Sequence, residues 1–191
     1  MNDKQFRMLE LLDRQIQKCT LCGLWKNGRA KPYWTRDSDL VLVGEAPGKD
    51  EVDNNEPFVG KAGHILWNKM LENGLYKKQF LVINTTNCRP MIGNKNGKPT
   101  IDEMTTCGKW VRKYILTLDP KKIILLGAYA VEAMLYKKEP VIANSGKEDT
   151  LVYLNPQKEY RVMKSIHPAS LIYSPVNVEI LNESIKKFAK L

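Results

Sequence analysis

Four short apolar segments, separated by helical patterns, constrain this chain more than any other feature of its sequence. The apolar segments are 40–43, 80–83, 122–126 and 160–166. Apolar residues elsewhere recur at helical spacing, which predicts helices at 3–18, 62–71, 101–116, 128–136 and 176–190. Strands that alternate with helices form a parallel sheet with helices on both faces. The pattern therefore predicts an α/β fold.

Length and charge indicate the size of the protein and the kind of partner it binds. The chain has 191 residues, so we expect a single domain over 1–191. Lys and Arg outnumber Asp and Glu by 30 to 21, and the net charge of +9 favours a polyanionic partner such as nucleic acid. The first 18 residues alternate charged and apolar side chains, a pattern of neither a signal peptide nor a membrane span. We expect an intracellular protein, cytoplasmic, nucleoid-associated or virus-related, that does not enter a membrane.

The carboxyl ends of the predicted strands supply the first candidate site residues. Ligands of parallel sheets bind at this edge, beside the point where the strand order reverses. Gly44 and Glu45 leave the first strand and Asn84 ends the second. Gly127 follows the third strand and His167 follows the fourth.

The segment GEAPGKDEVDNNEPFVGKAG, residues 44–63, leaves the first strand through four glycines and two prolines. A phosphate-binding loop would need Gly at the position of Asn55 and Ser or Thr at the position of Ala62. The glycines also lack the spacing of a dinucleotide-binding fingerprint. Phe58, between Pro57 and Val59, either anchors the loop in the core or offers an aromatic platform for a flat base.

Four cysteines suggest a metal site, because structural disulfides are rare in a reducing compartment. Cys19 and Cys22 form a CxxC pair, whereas Cys88 and Cys107 stand singly. A zinc ribbon usually pairs two CxxC motifs, and an iron–sulfur cluster accepts thiolates from scattered loops and helices. Cys107 also lies on the inward face of its predicted helix, where an ordinary buried cysteine would stand. The spacing leaves a cluster, zinc and no metal open.

Taken together, the segments GEAPGKDEVDNNEPFVGKAG, INTTNCRP and IHPASL, with the cysteines interleaved, resemble the family 4 uracil-DNA glycosylases. These enzymes are the iron–sulfur branch of their superfamily, and the resemblance covers residues 15–190. It implies a three-layer α/β sandwich with a four-stranded parallel sheet between helices. It also implies a pocket for a uracil flipped out of DNA, and a 4Fe-4S cluster. The implied cluster ligands are Cys19, Cys22, Cys88 and Cys107.

The resemblance assigns roles to individual residues by their positions in these segments. Glu45 helps to position water and substrate, Asn84 reads the uracil edge, and His167 stabilises charge on the departing base. Phe58 is the stacking aromatic. The implied substrate-binding residues are Gly44, Ala46, Phe58, Asn84 and Ser170.

The chemistry of base excision agrees with these roles. The glycosidic bond inside a duplex is inaccessible, so the base must leave the stack. Cleavage leaves negative charge on uracil O2, and a donor aimed at that oxygen acts most strongly in the transition state. His167 suits this role because Pro168 stiffens its loop, whereas His64 falls in a predicted helix and is treated as structural.

The chain also departs from the family pattern near the expected DNA surface. Many members have Gly where Asn55 stands, and Arg is common where this chain has Tyr173. The segment MIGNKNGKPT after Cys88 differs in spacing from the shorter family pattern. Basic residues in the flanking loops are candidates for phosphate contacts, namely Lys26, Arg29, Lys31, Lys95 and Lys98.

We therefore expect a monomeric, monofunctional glycosylase that hydrolyses the N-glycosidic bond of uracil in DNA and leaves an abasic site. The cluster would have a structural role. One alternative is a superfamily member that removes a different or modified pyrimidine. Another is a module that binds damaged or single-stranded DNA without chemistry. The joint presence of Glu45, Asn84 and His167 favours catalysis.

Overall fold

The computed structural model describes residues 1–155 and 157–191 of the chain. Its strands are β1 (Leu40–Gly44), β2 (Phe80–Asn84), β3 (Met91–Ile92), β4 (Lys95–Asn96), β5 (Lys122–Leu126), β6 (Glu148–Asn155) and β7 (Lys158–Ser165). Its helices are α1 (Asp3–Gln17), α2 (Lys49–Asp53), α3 (Lys61–Glu72), α4 (Ile101–Leu118), α5 (Ala128–Leu135), α6 (Val141–Asn144), α7 (Ser170–Tyr173) and α8 (Val178–Lys190). Within these ranges no helix combines the length and apolar character needed to cross a membrane.

The central sheet has the strand order β2-β1-β5-β7-β6 in the described part of the chain. β2, β1, β5 and β7 are parallel, which confirms the predicted parallel sheet. β6 pairs antiparallel with β7 at the edge of the sheet, and the sequence analysis missed this fifth strand. β6 has the apolar run LVYL at 151–154, but it begins with the polar residues Glu148, Asp149 and Thr150, and its place at the edge depends on pairing with β7.

Alternate residues of each central strand face two different cores. In β1, Val41 and Val43 pack with residues of α1, α4 and α5. Leu40 and Leu42 pack on the opposite face, with residues of α3 and α8. This two-residue period is that of a strand buried on both faces, and it produces the three layers that were predicted.

The predicted helices are confirmed, with ends within two residues of the predicted ones. Asn2 caps α1, where its side-chain oxygen accepts a 2.9 Å hydrogen bond from the main-chain N–H of Gln5. Thr100 and Glu103 form a reciprocal capping box at the start of α4, with hydrogen bonds of 2.8 and 3.2 Å. These side chains satisfy main-chain donors that have no partner inside a helix.

The topology brings four strand ends to one edge of the sheet. β2 lies on one side of β1 and β5 lies on the other, so the strand order reverses at β1. Because ligands of such sheets bind beside this reversal, the candidate site is expected there. Gly44, Asn84, Gly127 and His167 all lie at this edge.

Candidate functional site

A pocket with a volume of about 390 Å³ opens at the carboxyl edge of the sheet. Its size is near the lower end of the about 300–1,000 Å³ that is usual for small-molecule sites. Four of the residues singled out from the sequence line it, namely Ala46, Phe58, Asn84 and His167. The remaining wall comes from the first turns of α2 and α3, from β4 and from α7.

His167 lies in this pocket as a neutral imidazole. Its Nδ1 accepts a 3.2 Å hydrogen bond from the main-chain N–H of Ala169, so the ring proton is on Nε2. Burial lowers the pKa of His167 to about 4, which keeps the ring uncharged at neutral pH. Gly127 allows this close packing, because a Cβ at its position would lie 3.0 Å from the Cβ of His167. The histidine is therefore prepared to donate one hydrogen bond through Nε2.

Phe58 belongs to the core and also lines the pocket, where its ring forms an aromatic wall. It is 6% exposed and packs with the α3 and α8 core. Its φ of 56° is unusual for a residue with a side chain, and the carbonyl oxygen accepts a 3.2 Å hydrogen bond from Nε1 of Trp67. A Cβ at Gly63 would lie 2.0 Å from that oxygen, so this close approach requires glycine.

Asn84 presents a buried amide to the pocket. The residue is 3% exposed, and no hydrogen bond within the described residues reaches its side chain. A Cβ at Gly44 would lie 2.4 Å from Oδ1 of Asn84 and 2.6 Å from Cζ of Phe58. Gly44 thus gives both side chains the room to stand side by side. The polar atoms of this amide are not among the fully buried, unpaired atoms of the described chain, so they face the open pocket, where a ligand can complete their hydrogen bonds.

Three predicted site residues lie beside the pocket rather than among the described residues that line it. These residues are Gly44, Glu45 and Ser170. Burial raises the pKa of the Glu45 carboxyl, and the positive charge of Lys98 opposes this effect. The main-chain N–H of Ser170 donates a 2.9 Å hydrogen bond to the carbonyl of His167, while its buried hydroxyl has no partner in the described chain.

Glu51 shapes the pocket and was missed in the sequence analysis. One carboxylate oxygen accepts a 3.0 Å hydrogen bond from the N–H of Gly48, and the other accepts a 2.8 Å hydrogen bond from Gly60. These glycines precede α2 and α3, so one side chain holds together both ends of the loop that carries Phe58. The three-residue spacing from Gly48 to Glu51 was the available signal, since a capping glutamate stands there.

Asn96 and Tyr173 also line the pocket without having been assigned to it from the sequence. Oδ1 of Asn96 accepts a 2.6 Å hydrogen bond from Nε of Arg89, which holds the β3–β4 hairpin at the pocket. Tyr173 is 86% exposed at the mouth. No local pattern could have placed Asn96 here, because the contact depends on how the hairpin folds back.

Two of the basic residues considered for phosphate contacts are engaged within the protein. The Arg29 guanidinium donates to the carbonyls of Ile16 and Cys19, and Lys31 forms a 3.2 Å ion pair with Asp13. Lys61 instead lies exposed at the pocket mouth.

The cysteines meet at a second cavity, on the face of the sheet that carries α1 and α4. The residues Cys19, Cys22, Cys88 and Cys107 all line it, and none forms a disulfide. The main-chain and side-chain N–H groups of Asn87 donate to Sγ of Cys107 at 3.4 and 3.6 Å. Burial raises the pKa of the Cys88 thiol to about 11, against the opposing positive charge of Arg29.

The donor set around this cavity is consistent with an iron–sulfur group. Within the described ranges no group of three or more His, Cys, Asp or Glu side chains is arranged to hold a metal ion. Four thiolates can hold either a zinc ion or a cluster, but around a cluster the four sulfur atoms are farther apart. Thr86 Oγ1 and Trp110 Nε1 are buried at the cavity without a partner in the described chain. A bound group with acceptor atoms would satisfy both donors.

The pocket combines an aromatic wall, an amide and a neutral histidine at the reversal of a parallel sheet, which is where α/β proteins bind their ligands. Comparison with known protein families identifies the family to which the chain belongs. The chain belongs to the uracil DNA glycosylase superfamily, whose family model matches residues 32–189.

Individual relatives agree with this assignment along nearly the whole chain. The type-4 uracil-DNA glycosylase of Sulfurisphaera tokodaii is 31% identical over 192 residues, which cover 96% of this chain and 84% of the relative. That of Archaeoglobus fulgidus is 30% identical over 190 residues, with 96% and 94% coverage. That of Thermotoga maritima is 29% identical over 184 residues, with 94% and 92% coverage. The resemblance inferred from the motifs is confirmed.

Proposed function

We propose that this protein is a monofunctional uracil-DNA glycosylase that hydrolyses the N-glycosidic bond of uracil in DNA and leaves an abasic site. The observation that carries the proposal is the neutral His167 in the pocket, with its proton held on Nε2. Membership of the superfamily supports the same activity. The partner is DNA that contains uracil, and the base enters the pocket after it is flipped out of the helix.

The leaving group is stabilised by His167. As the C1′–N1 bond breaks, its electron pair moves onto uracil and negative charge develops on O2. A hydrogen bond from Nε2–H to that oxygen strengthens as the charge grows, so it lowers the barrier more than it tightens substrate binding. A buried donor needs no reorganisation and faces little competition from water.

Asn84 distinguishes uracil from cytosine. Uracil presents an acceptor at O4 beside a donor at N3, and one orientation of the Asn84 amide matches both. Cytosine reverses both groups, so the same amide would be left with two unpaired or repelling contacts. Phe58 stacks against the base and Ala46 completes the wall, while Gly44, behind them, leaves room for the side chains of Phe58 and Asn84.

We assign the orientation of the attacking water to Glu45. The water oxygen bonds to C1′ as uracil leaves, and its proton passes to the Glu45 carboxylate. Support for this role is the position of Glu45 directly after β1, half-buried beside the pocket. We assign substrate contact to Ser170, because its hydroxyl has no partner in the described chain and it follows Ala169 of the pocket lining. No lysine has a covalent role, so the reaction ends at the abasic site.

We also propose that a 4Fe-4S cluster is bound by Cys19, Cys22, Cys88 and Cys107. The shared cavity and the unpaired donors around it support this assignment. When bound, the cluster supplies four metal–thiolate bonds that join separate parts of the chain. Its role is structural, because its ligands come from the end of α1, the segment after β2, and α4. We expect the protein to act inside the cell as a monomer and as a single domain.

Two measurements test these assignments separately. Oligonucleotides carrying uracil, cytosine, thymine or modified pyrimidines are incubated with the purified protein, and alkali reveals abasic sites. We expect cleavage at uracil only. Cleavage at another base, or binding without cleavage, would replace the proposed activity with one of the alternatives. Iron and sulfide analysis of protein purified without oxygen should give about four irons per chain, whereas zinc without iron would exclude the cluster.

A further inference from the structure

Two buried polar groups at the cysteine cavity have no hydrogen-bond partner in the described chain. They are the hydroxyl of Thr86, a residue that is 1% exposed, and the indole Nε1–H of Trp110, a residue that is 6% exposed. Both residues line the cavity together with the four cysteines. Burying a donor without an acceptor costs about 1 to 3 kcal/mol, so two such donors at one cavity need an explanation.

Several donors next to the Thr86 hydroxyl have partners within the protein. Asn87, next to Thr86, uses both its main-chain and its side-chain N–H on Sγ of Cys107. The main-chain N–H of Thr86 donates to the carbonyl of Glu45 at 3.2 Å. The hydroxyl of Thr86 has no partner among the described residues, although residues 85–88 around it are buried throughout.

Trp110 reaches the same cavity from α4. It stands three residues after Cys107, so the two side chains share one face of the helix. The ammonium groups of Lys109 and Lys113 each lie 5.2 Å from the centre of the indole ring. Cations over an aromatic ring withdraw electron density, which makes Nε1–H a stronger donor.

We propose that Thr86 and Trp110 donate hydrogen bonds to sulfur atoms of the bound cluster and thereby tune its reduction potential and its retention. The inference rests on the proposed cluster. Hydrogen bonds to cluster sulfurs stabilise the added negative charge of the reduced form, so they raise the potential. They also hold the cluster in place, because partners of this outer kind commonly change metal affinity by about 10–100-fold.

The experiment uses variants that each remove one donor, with little change of shape in Thr86→Val and a smaller aromatic ring in Trp110→Phe. Thr86→Val and Trp110→Phe delete the hydroxyl and the indole N–H, and Thr86→Ser restores a hydroxyl. Thr106→Val and Trp25→Phe are the matched controls, since both residues line the same cavity, are less buried, and contribute no unpaired buried polar atom. Anaerobic redox titration followed by visible absorbance gives the potential, and loss of absorbance with an iron chelator gives the release rate.

We expect a more negative potential and about 10-fold faster iron release in Thr86→Val and Trp110→Phe, with Thr86→Ser and both controls close to the parent. Parental values in both donor variants, with the cluster loaded, would overturn the inference and leave the cluster assignment intact. Equal shifts in the controls would also overturn it, because the cause would then be packing. Absence of iron from the parent protein would overturn the cluster and this inference together, without bearing on uracil excision.

Discussion

The main-chain N–H of Thr86 donates a 3.2 Å hydrogen bond to the carbonyl oxygen of Glu45. This bond joins the segment after β2 to the segment after β1. Thr86 lies two residues from Asn84 in the pocket and two residues from Cys88 at the second cavity. The pocket and the cysteine cavity therefore lie on two sides of one short, buried segment. We expect a structural change at one of them to affect the other.

Replacing His167 tests the leaving-group donor. We expect His167→Ala to lower the single-turnover rate on uracil-containing DNA by about 10²-fold or more, because the donor acts mainly in the transition state. DNA affinity should change little. His64→Ala is the matched control, since that exposed histidine lies on α3 outside the pocket lining. Equal rates for parent and His167→Ala, with both folded, would remove this residue from the mechanism.

The buried state of His167 should be visible in the pH dependence of stability. Its folded pKa of about 4 lies below the ordinary value of 6.5, so the unfolded chain binds the proton first as the pH falls. Between these values the free energy of unfolding should decrease by up to about 3 kcal/mol from this group. Denaturant titrations of the parent and His167→Gln across this range isolate the contribution. Parallel curves for the two proteins would contradict the lowered pKa.

Asn84→Asp tests the reading of the base. The carboxylate accepts hydrogen bonds and cannot donate to O4, so uracil excision should be lost. Weak activity on cytosine is expected in return, because the carboxylate accepts from the cytosine amino group. The measurement is single-turnover cleavage of matched uracil and cytosine oligonucleotides. Excision of uracil at the parental rate by a folded variant would mean that another group reads the base.

Glu51→Gln tests the connection between the two ends of the pocket loop. An amide has one acceptor oxygen, so one of the two glycine N–H groups loses its partner, at a cost of about 1 to 3 kcal/mol. We expect lower thermal stability and a lower cleavage rate, because the loop carries Phe58. Asp50→Asn is the control, as the adjacent residue also lines the pocket. If the two variants behave alike, charge rather than the two hydrogen bonds explains the effect.

Lys61 at the pocket mouth should contact a phosphate of the DNA. Lys61→Ala is expected to weaken binding and to reduce the slope of log K against log salt by about 1, because one fewer counterion is released. Lys4→Ala is the control. It lies at the start of α1, beside the end of α4 and away from the pocket, since Gln5 there donates to the carbonyl of Leu118. An unchanged slope for Lys61→Ala would place the DNA elsewhere.

Much of the fold could be predicted because its signals are local. The apolar run of β1 and the helical spacing of α4 are read within a few residues, and each indicates one element. β6 could not be found in this way. Its first three residues are polar, and its place at the edge of the sheet depends on antiparallel pairing with β7, a contact that the local pattern does not specify.

The candidate site, like the fold, was predicted in part from local signals in the sequence. Its residue types, Asn84, Phe58, His167 and the four cysteines, were recognised from short segments and their order. The protonation, burial and hydrogen bonding of these residues were not predicted, because they depend on contacts between distant parts of the chain. The inward turn of Arg29 and the bridging of two helix starts by Glu51 are of this kind.

The sequence alone determined the alternation of strands and helices, the family, and which side chains are available for chemistry, because these follow from local periodicity and from the identity of the residues. The tertiary structure alone decided that His167 is neutral with its proton on Nε2, that the Asn84 side chain lines the pocket, and that two donors face the cysteine cavity unpaired in the described chain. Burial and hydrogen bonding are set by whichever groups the folded chain brings together, and no local pattern contains that information.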